Sequence, residues 1–175
     1  GQWKIAIFGA GHIAQALVPI LLTLDCRVTC LDPRDEWLNK LPEHKRLTKI
    51  LSLNMREDVA LLDPETYIII MTAGHCTDTP VLHEVLRSRK SPYVGVVGSK
   101  AKALVMRSEL EQMGIDRELS QSVRSPIGLP FGDNNPAEIA LSIAAQLIQT
   151  RDLRRKSEKE LSETSALNLS SQPIR

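Results

Sequence analysis

Aromatic side chains are scarce in this 175-residue chain, where two Trp, two Tyr and two Phe make up 3%. An excess of one charge is missing too: 22 Lys and Arg face 21 Asp and Glu, for a net charge of +1. A nucleic-acid binder needs a basic stripe and usually stacking rings, so this composition argues against one. No uninterrupted apolar stretch approaches the roughly 20 residues of a membrane-spanning helix. Cysteine is sparse and odd in number. Cys26, Cys30 and Cys76 follow no framework spacing, which reads as reduced thiols in a cytoplasmic setting. Cys26 and Cys30 bracket an expected strand, whose rise of ~13 Å over four residues keeps them from sharing a metal ion. The start opens at Gly1 without Met and shows no secretory signal, so it reads as an expression scar or the cut end of a longer protein.

What is present suits one domain. Apolar residues at 42% and charged residues at 25% are ordinary for a globular protein, and the length allows one hydrophobic core. Residues 3–8 (WKIAIF) are a short apolar run ending at glycine, the pattern of a buried parallel strand. Residues 14–24 are apolar nearly all round and predict a buried helix, irregular at Pro19. A second strand covers 27–31 (RVTCL), closed by Asp32-Pro33. The segment 36–63 predicts a short helix, a third strand near 48–51 and another short helix near 57–61. Residues 66–71 (TYIIIM), β-branched and uncharged, are the strongest strand. A helix follows over about 79–88, a fifth strand over 93–97 (YVGVV) and a helix over 100–113. Residues 125–135 (SPIGLPFGDNN) read as a loop. Asn135 then stands as an N-cap, with Pro136 at the first helical position and Glu138 three past the cap. Ile139, Ala140, Ile143, Ala144, Leu147 and Ile148 make one helical face. Residues 1–155 are therefore expected as a Rossmann-like cofactor-binding domain, with 156–175 a fraying helix end and flexible polar tail. Strands alternating with helices predict a doubly wound, mostly parallel α/β sheet, whose ligands bind at the carboxyl ends of the strands beside the first one.

Residues 9–14 (GAGHIA) match G-x-G-x-x-G/A in its alanine form. Gly9 permits the tight turn, Gly11 lets backbone approach a pyrophosphate, and the unpaired amides at the helix start favour an anion. Asp32, 21 residues after Gly11, is placed to accept from a ribose diol or else to cap the turn before Pro33. His12 contacts a phosphate or fills the turn. The strand over 66–71 exits through Thr72, Ala73, Gly74, His75, Cys76, Thr77 and Asp78, the densest chemical cluster in the chain. Asp78 or Thr77 as a helix cap accounts for part of it and leaves His75 and Cys76 unexplained. A zinc site would need more ligands at chelating spacing, so no metal is expected. Gly98, Ser99 and Lys100 form a second anion site, or Ser99 is a plain N-cap. No long segment remains for the second domain with which a dehydrogenase brings substrate to nicotinamide.

In order, GAGHIA, RVTCLDPR, GHCTD, YVGVVGSKAK and SPIGLPFGDNNPAEIALSI resemble the XdhC/CoxI family, the xanthine dehydrogenase accessory proteins. The likeness spans roughly residues 3–150, the family's C-terminal Rossmann domain. It implies a chaperone rather than a conventional enzyme. Such a protein binds molybdenum cofactor (molybdopterin), helps bring about its sulfuration, with a cysteine desulfurase as a further partner, and delivers it to a xanthine dehydrogenase-like molybdoenzyme. The positions that carry over are Gly9, Gly11, His12, Asp32, Arg34, His75, Asp78, Gly98, Ser99 and Lys100, with Gly128, Gly132 and Glu138 in the last block. Thr72 joins them as a strand-exit hydroxyl. Ala73 stands where many members carry a histidine, and the family's N-terminal cysteine-bearing domain is not in this sequence. Two other readings use the same turn: an NAD(P)-dependent oxidoreductase completed by a homodimer partner, and a regulatory nucleotide-sensing module.

Overall fold

Strands with apolar residues at consecutive positions need cover on both faces, and helices on either side supply it. The computed structural model describes residues 2–171 and 173. Its strands are β1 (Lys4–Phe8), β2 (Arg27–Asp32), β3 (Leu47–Leu51), β4 (Tyr67–Ile70) and β5 (Val94–Val96). They pair in the order β3-β2-β1-β4-β5, every pairing parallel. The result is a doubly wound, Rossmann-like α/β fold.

Alternate residues of each central strand serve the two faces. Ile5, Ile7, Val28, Cys30 and Ile69 join α1 (His12–Leu22) and the first half of α7 (Pro136–Ser170) in one core layer. Ala6, Phe8, Leu31, Ile68 and Ile70 pack with α4 (His75–Ser88) and α5 (Lys100–Gln112) in the other. Between β2 and β4 the chain adds α2 (Asp35–Asn39), α3 (Met55–Asp58) and a 3-10 turn at Val59–Leu61. A short helix that periodicity does not announce, α6 (Arg117–Ser122), precedes the 125–135 loop.

Two elements extend further than their sequences suggest. α4 begins at His75 rather than near 79, drawing the polar strand-exit cluster into its first turn. α7 does not fray near 155 but stays helical to Ser170, a run of 35 residues about 50 Å long. No Gly or Pro interrupts it after Pro136, and pairs such as Arg154–Glu158 at i,i+4 support its exposed half. Core-facing periodicity marks where a helix packs, not where it ends.

Candidate functional site

β1 ends at Phe8 and α1 starts four residues later, at His12. The fold itself demands Gly9. Its φ is +109°, and a Cβ there would lie 2.0 Å from the Met71 carbonyl oxygen just past β4. Gly11 differs: φ is −73°, and a Cβ built on it would meet nothing within 4 Å. Packing within the chain gives no reason for glycine at 11, whereas close approach by a ligand does. α1 has no side-chain cap, which leaves the amides of its first turn facing the space over Gly11.

Asp32 closes β2 and is 1% exposed. Its Oδ2 accepts from the Ala10 amide at 2.8 Å and from Arg34 Nη2 at 2.9 Å. Its Oδ1 accepts from the Arg34 amide at 2.8 Å and Arg34 Nε at 2.9 Å. Burial alone would raise this carboxyl; the hydrogen bonds from Arg34 and Ala10 together hold it below the ordinary aspartate range. Trp37 on α2 lies beside the same turn. Gln15 Nε2 donates to the Ala10 and Trp37 carbonyls at 2.8 and 2.9 Å, which ties α2 to the glycine turn. The Arg34 guanidinium and Lys40 Nζ stand 5.0 and 4.1 Å from the indole centroid, and the His12 ring meets it edge-on at 5.0 Å.

At the β4 exit the Thr72 amide donates to Asp78 Oδ1 at 2.9 Å, and the Thr72 hydroxyl donates to the same oxygen. Neither Thr77 nor Asp78 caps α4; its N-cap is Gly74, without a side-chain hydrogen bond. Asp78 instead turns back to hold Thr72. It is buried, and that burial pushes its carboxyl above the ordinary range despite the bonds from Thr72. His75 is exposed, with Nε2 2.8 Å from Glu109 Oε2 on α5. Cys76 is an exposed free thiol in the same turn. Burial pushes the Cys26 thiol up and the Cys30 thiol to about 12, so neither is a nucleophile near neutrality.

Between the β4 and β5 exits lies a cleft of about 270 Å³. Thr72, Gly74, His75 and Asp78 wall one side, and Gly98 and Lys102 the other. Val97, Ala103 and Met106 supply an apolar floor, and Ser125 borders it. Thr72, His75, Asp78 and Gly98 thus come together as their strand-exit positions suggest. Gly9, Gly11, His12, Asp32 and Arg34 gather at the neighbouring β1 turn, which touches the cleft through Gly9 and Thr72. Ser99 and Lys100 do not line the cleft. Ser99 Oγ accepts from the Lys102 amide at 3.2 Å as the N-cap of α5, and Lys100 is exposed. The last sequence block acts in support. Gly128 donates its amide to Gln146 Oε1 at 2.9 Å, an oxygen that also accepts from the Tyr93 hydroxyl, and Glu138 accepts from the Asp133 amide near Gly132.

Lys102, Met106, Glu109 and Trp37 escape a reading of loops alone. The first three recur at i, i+4 and i+7 along α5, a spacing that marks one helix face. Nothing local singles out Trp37. Among the described residues, no group of three His, Cys, Asp or Glu side chains is arranged to hold a metal ion. Nor is any described helix long and apolar enough to cross a membrane.

The family model of the XdhC Rossmann domain matches residues 5–147. The Escherichia coli (strain K12) molybdenum cofactor insertion chaperone PaoD is 27% identical over 92 residues, 53% of this chain and 29% of that protein. The uncharacterized protein YqeB of the same organism is 22% identical over 151 residues, 85% of this chain and 27% of that protein. A crystal structure from Bacillus halodurans, described as a xanthine dehydrogenase, superposes with a TM-score of 0.71 at 28% identity. It covers 87% of this chain, which spans 44% of that one. The chain therefore spans less than half the length of each of these relatives.

Proposed function

We propose, from the premise that this chain belongs to the XdhC Rossmann domain family, that it is the cofactor-holding part of an accessory protein. It binds molybdenum cofactor and assists its maturation and insertion into a xanthine dehydrogenase-like molybdenum hydroxylase. The observation that carries this reading is the open space over Gly11 in the turn whose Gly9 abuts Thr72, a residue of the cleft walled by His75, Asp78 and Lys102. Likeness to a molybdenum cofactor insertion chaperone supports it.

The residues present fit such a group in two parts. The open space over Gly11, under the uncapped first turn of α1, suits a terminal phosphate. The adjoining cleft suits a flat heterocycle, with apolar contacts from Val97 and Met106 and the Asp78 carboxyl as a hydrogen-bond partner for ring nitrogens. When bound, molybdenum cofactor supplies the redox-active metal that the client hydroxylase uses. The protein's own part is to bind, orient and release. Lys102 offers a point charge to an anion, and the partly exposed His75–Glu109 pair contributes little to stability, so His75 can exchange its partner for ligand.

Titration of the purified chain with molybdopterin, NADH, NADP and AMP tests this reading. Molybdopterin is expected to bind most tightly, and His75→Ala and Lys102→Ala each to weaken its retention about tenfold, roughly the loss of one charge-assisted hydrogen bond. Lys100→Ala, outside the cleft, leaves retention unchanged. The reading fails if the chain oxidises NADH with a small substrate at about 1–10³ s⁻¹ and His75→Ala abolishes that turnover.

A further inference from the structure

Asp32 stands where doubly wound nucleotide-binding folds place the acid that accepts from ribose hydroxyls. Here the chain itself consumes that acid. A carboxylate offers about four lone-pair sites, and Asp32 accepts from the Ala10 amide, the Arg34 amide, Arg34 Nε and Arg34 Nη2. The last two form a bidentate fork, a particularly strong and directional arrangement for a guanidinium on a carboxylate. With Asp32 1% exposed, no face remains for a ligand to approach.

The plug is also held from behind. The Arg34 guanidinium lies 5.0 Å from the Trp37 ring, and Gln15 anchors the Trp37 carbonyl to the glycine turn. A ribose diol reaching Asp32 would have to replace a bidentate ion pair with hydrogen bonds from uncharged donors and move the Arg34 side chain. That exchange is unfavourable, because it leaves the buried Asp32 carboxylate without its countercharge and gives up the bidentate geometry. The space over Gly11 is untouched by any of this.

We propose that Arg34 is a specificity-determining residue: by occupying the Asp32 carboxylate it closes the glycine turn to ribose-bearing dinucleotides while leaving the Gly11 cradle open to a terminal phosphate. This deepens the functional reading above and rests on it for the phosphate. It selects phosphomonoesters whose next group is not a ribose diol read at Asp32.

Calorimetric titration of the whole chain and of Arg34→Ser with NAD⁺, AMP, 2′,3′-dideoxy-AMP and inorganic phosphate tests it. The serine variant is expected to gain at least about tenfold in affinity for NAD⁺ and AMP, with no gain for the dideoxy compound and none for inorganic phosphate. If serine leaves Asp32 too exposed for a stable fold, Arg34→Gln breaks the fork while keeping a donor, and the same gain is expected. Equal NAD⁺ affinity in wild type and variant overturns the role of Arg34, as does an equal gain for the dideoxy compound. Selective NADP⁺ binding by the wild type would also overturn it, since the guanidinium would then be reading a 2′-phosphate. Absence of any phosphate binding in either protein instead removes the phosphate from this turn, and with it the functional reading.

Discussion

Gly9 and Gly11, two residues apart, are glycine for different reasons. Gly9→Ala forces a Cβ against the Met71 carbonyl at a φ of +109°, so a loss of about 3 kcal/mol or an unfolded protein is expected from urea denaturation. A Cβ at position 11 meets no atom of the chain within 4 Å, so Gly11→Val should melt within about 2 °C of wild type while losing phosphate-containing ligands. Unchanged affinity in folded Gly11→Val would take the ligand away from this turn. Asp78 gives a test by pH. Its folded pKa is raised above the unfolded 3.8, so ionisation works against the fold; the cost is absent below about pH 4 and full once pH exceeds the folded value. Asp78→Asn keeps a carbonyl to accept from Thr72 and drops the charge. Its Tm should exceed wild type by about 2–4 °C at pH 7, and the difference should vanish near pH 3. A gain of the same size at both pH values would exclude the charge as its cause. Asp32 has the opposite sign: its lowered pKa adds stability above about pH 3.8 that is lost as pH falls further.

Among the elements, α7 joins two halves with different duties. Ile143 and Leu147 are fully buried against the sheet and α1, so Ile143→Ala should cost about 2–5 kcal/mol. Beyond Arg154 every described residue of the helix is exposed. Removing residues 160–175 should therefore shift Tm by less than about 2 °C while lowering helical circular dichroism. A loss of several degrees would mean that the distal helix docks, across a dimer or elsewhere. The strands and the N-cap of α7 were legible because their signals are local: apolar runs of strand length, and Asn135 accepting from the Glu138 amide at 3.0 Å. The true start of α4 was not legible, because Gly74 caps it without a side chain and polar residues fill its first turn.

For the whole molecule, what matters is that β4 and β5 lie on one side of β1 in the sheet. This order brings the exits of three strands distant in sequence to one edge, where Gly9 of the β1 turn abuts Thr72 of the Lys102-walled cleft. Binding that uses Lys102 should weaken with added salt, and Lys102→Ala should flatten that dependence, as read by titration at about 50 and 500 mM salt. An unchanged salt slope in the variant would place the anion elsewhere on the surface.

The sequence alone determined the sheet's strands, the two apolar faces, the glycine turn and the family likeness, because each rests on spacing along the chain. It could also name Thr72, His75 and Asp78 as strand-exit groups. Tertiary structure decided how those groups are used. Asp32 went to Arg34 and the Ala10 amide instead of standing free, Asp78 turned back to Thr72, and Lys102 rather than Lys100 faced the cleft. A hydrogen-bonding group takes its partner by competition among the groups that folding brings within reach, and only where that competition is left unresolved does a site remain for a ligand.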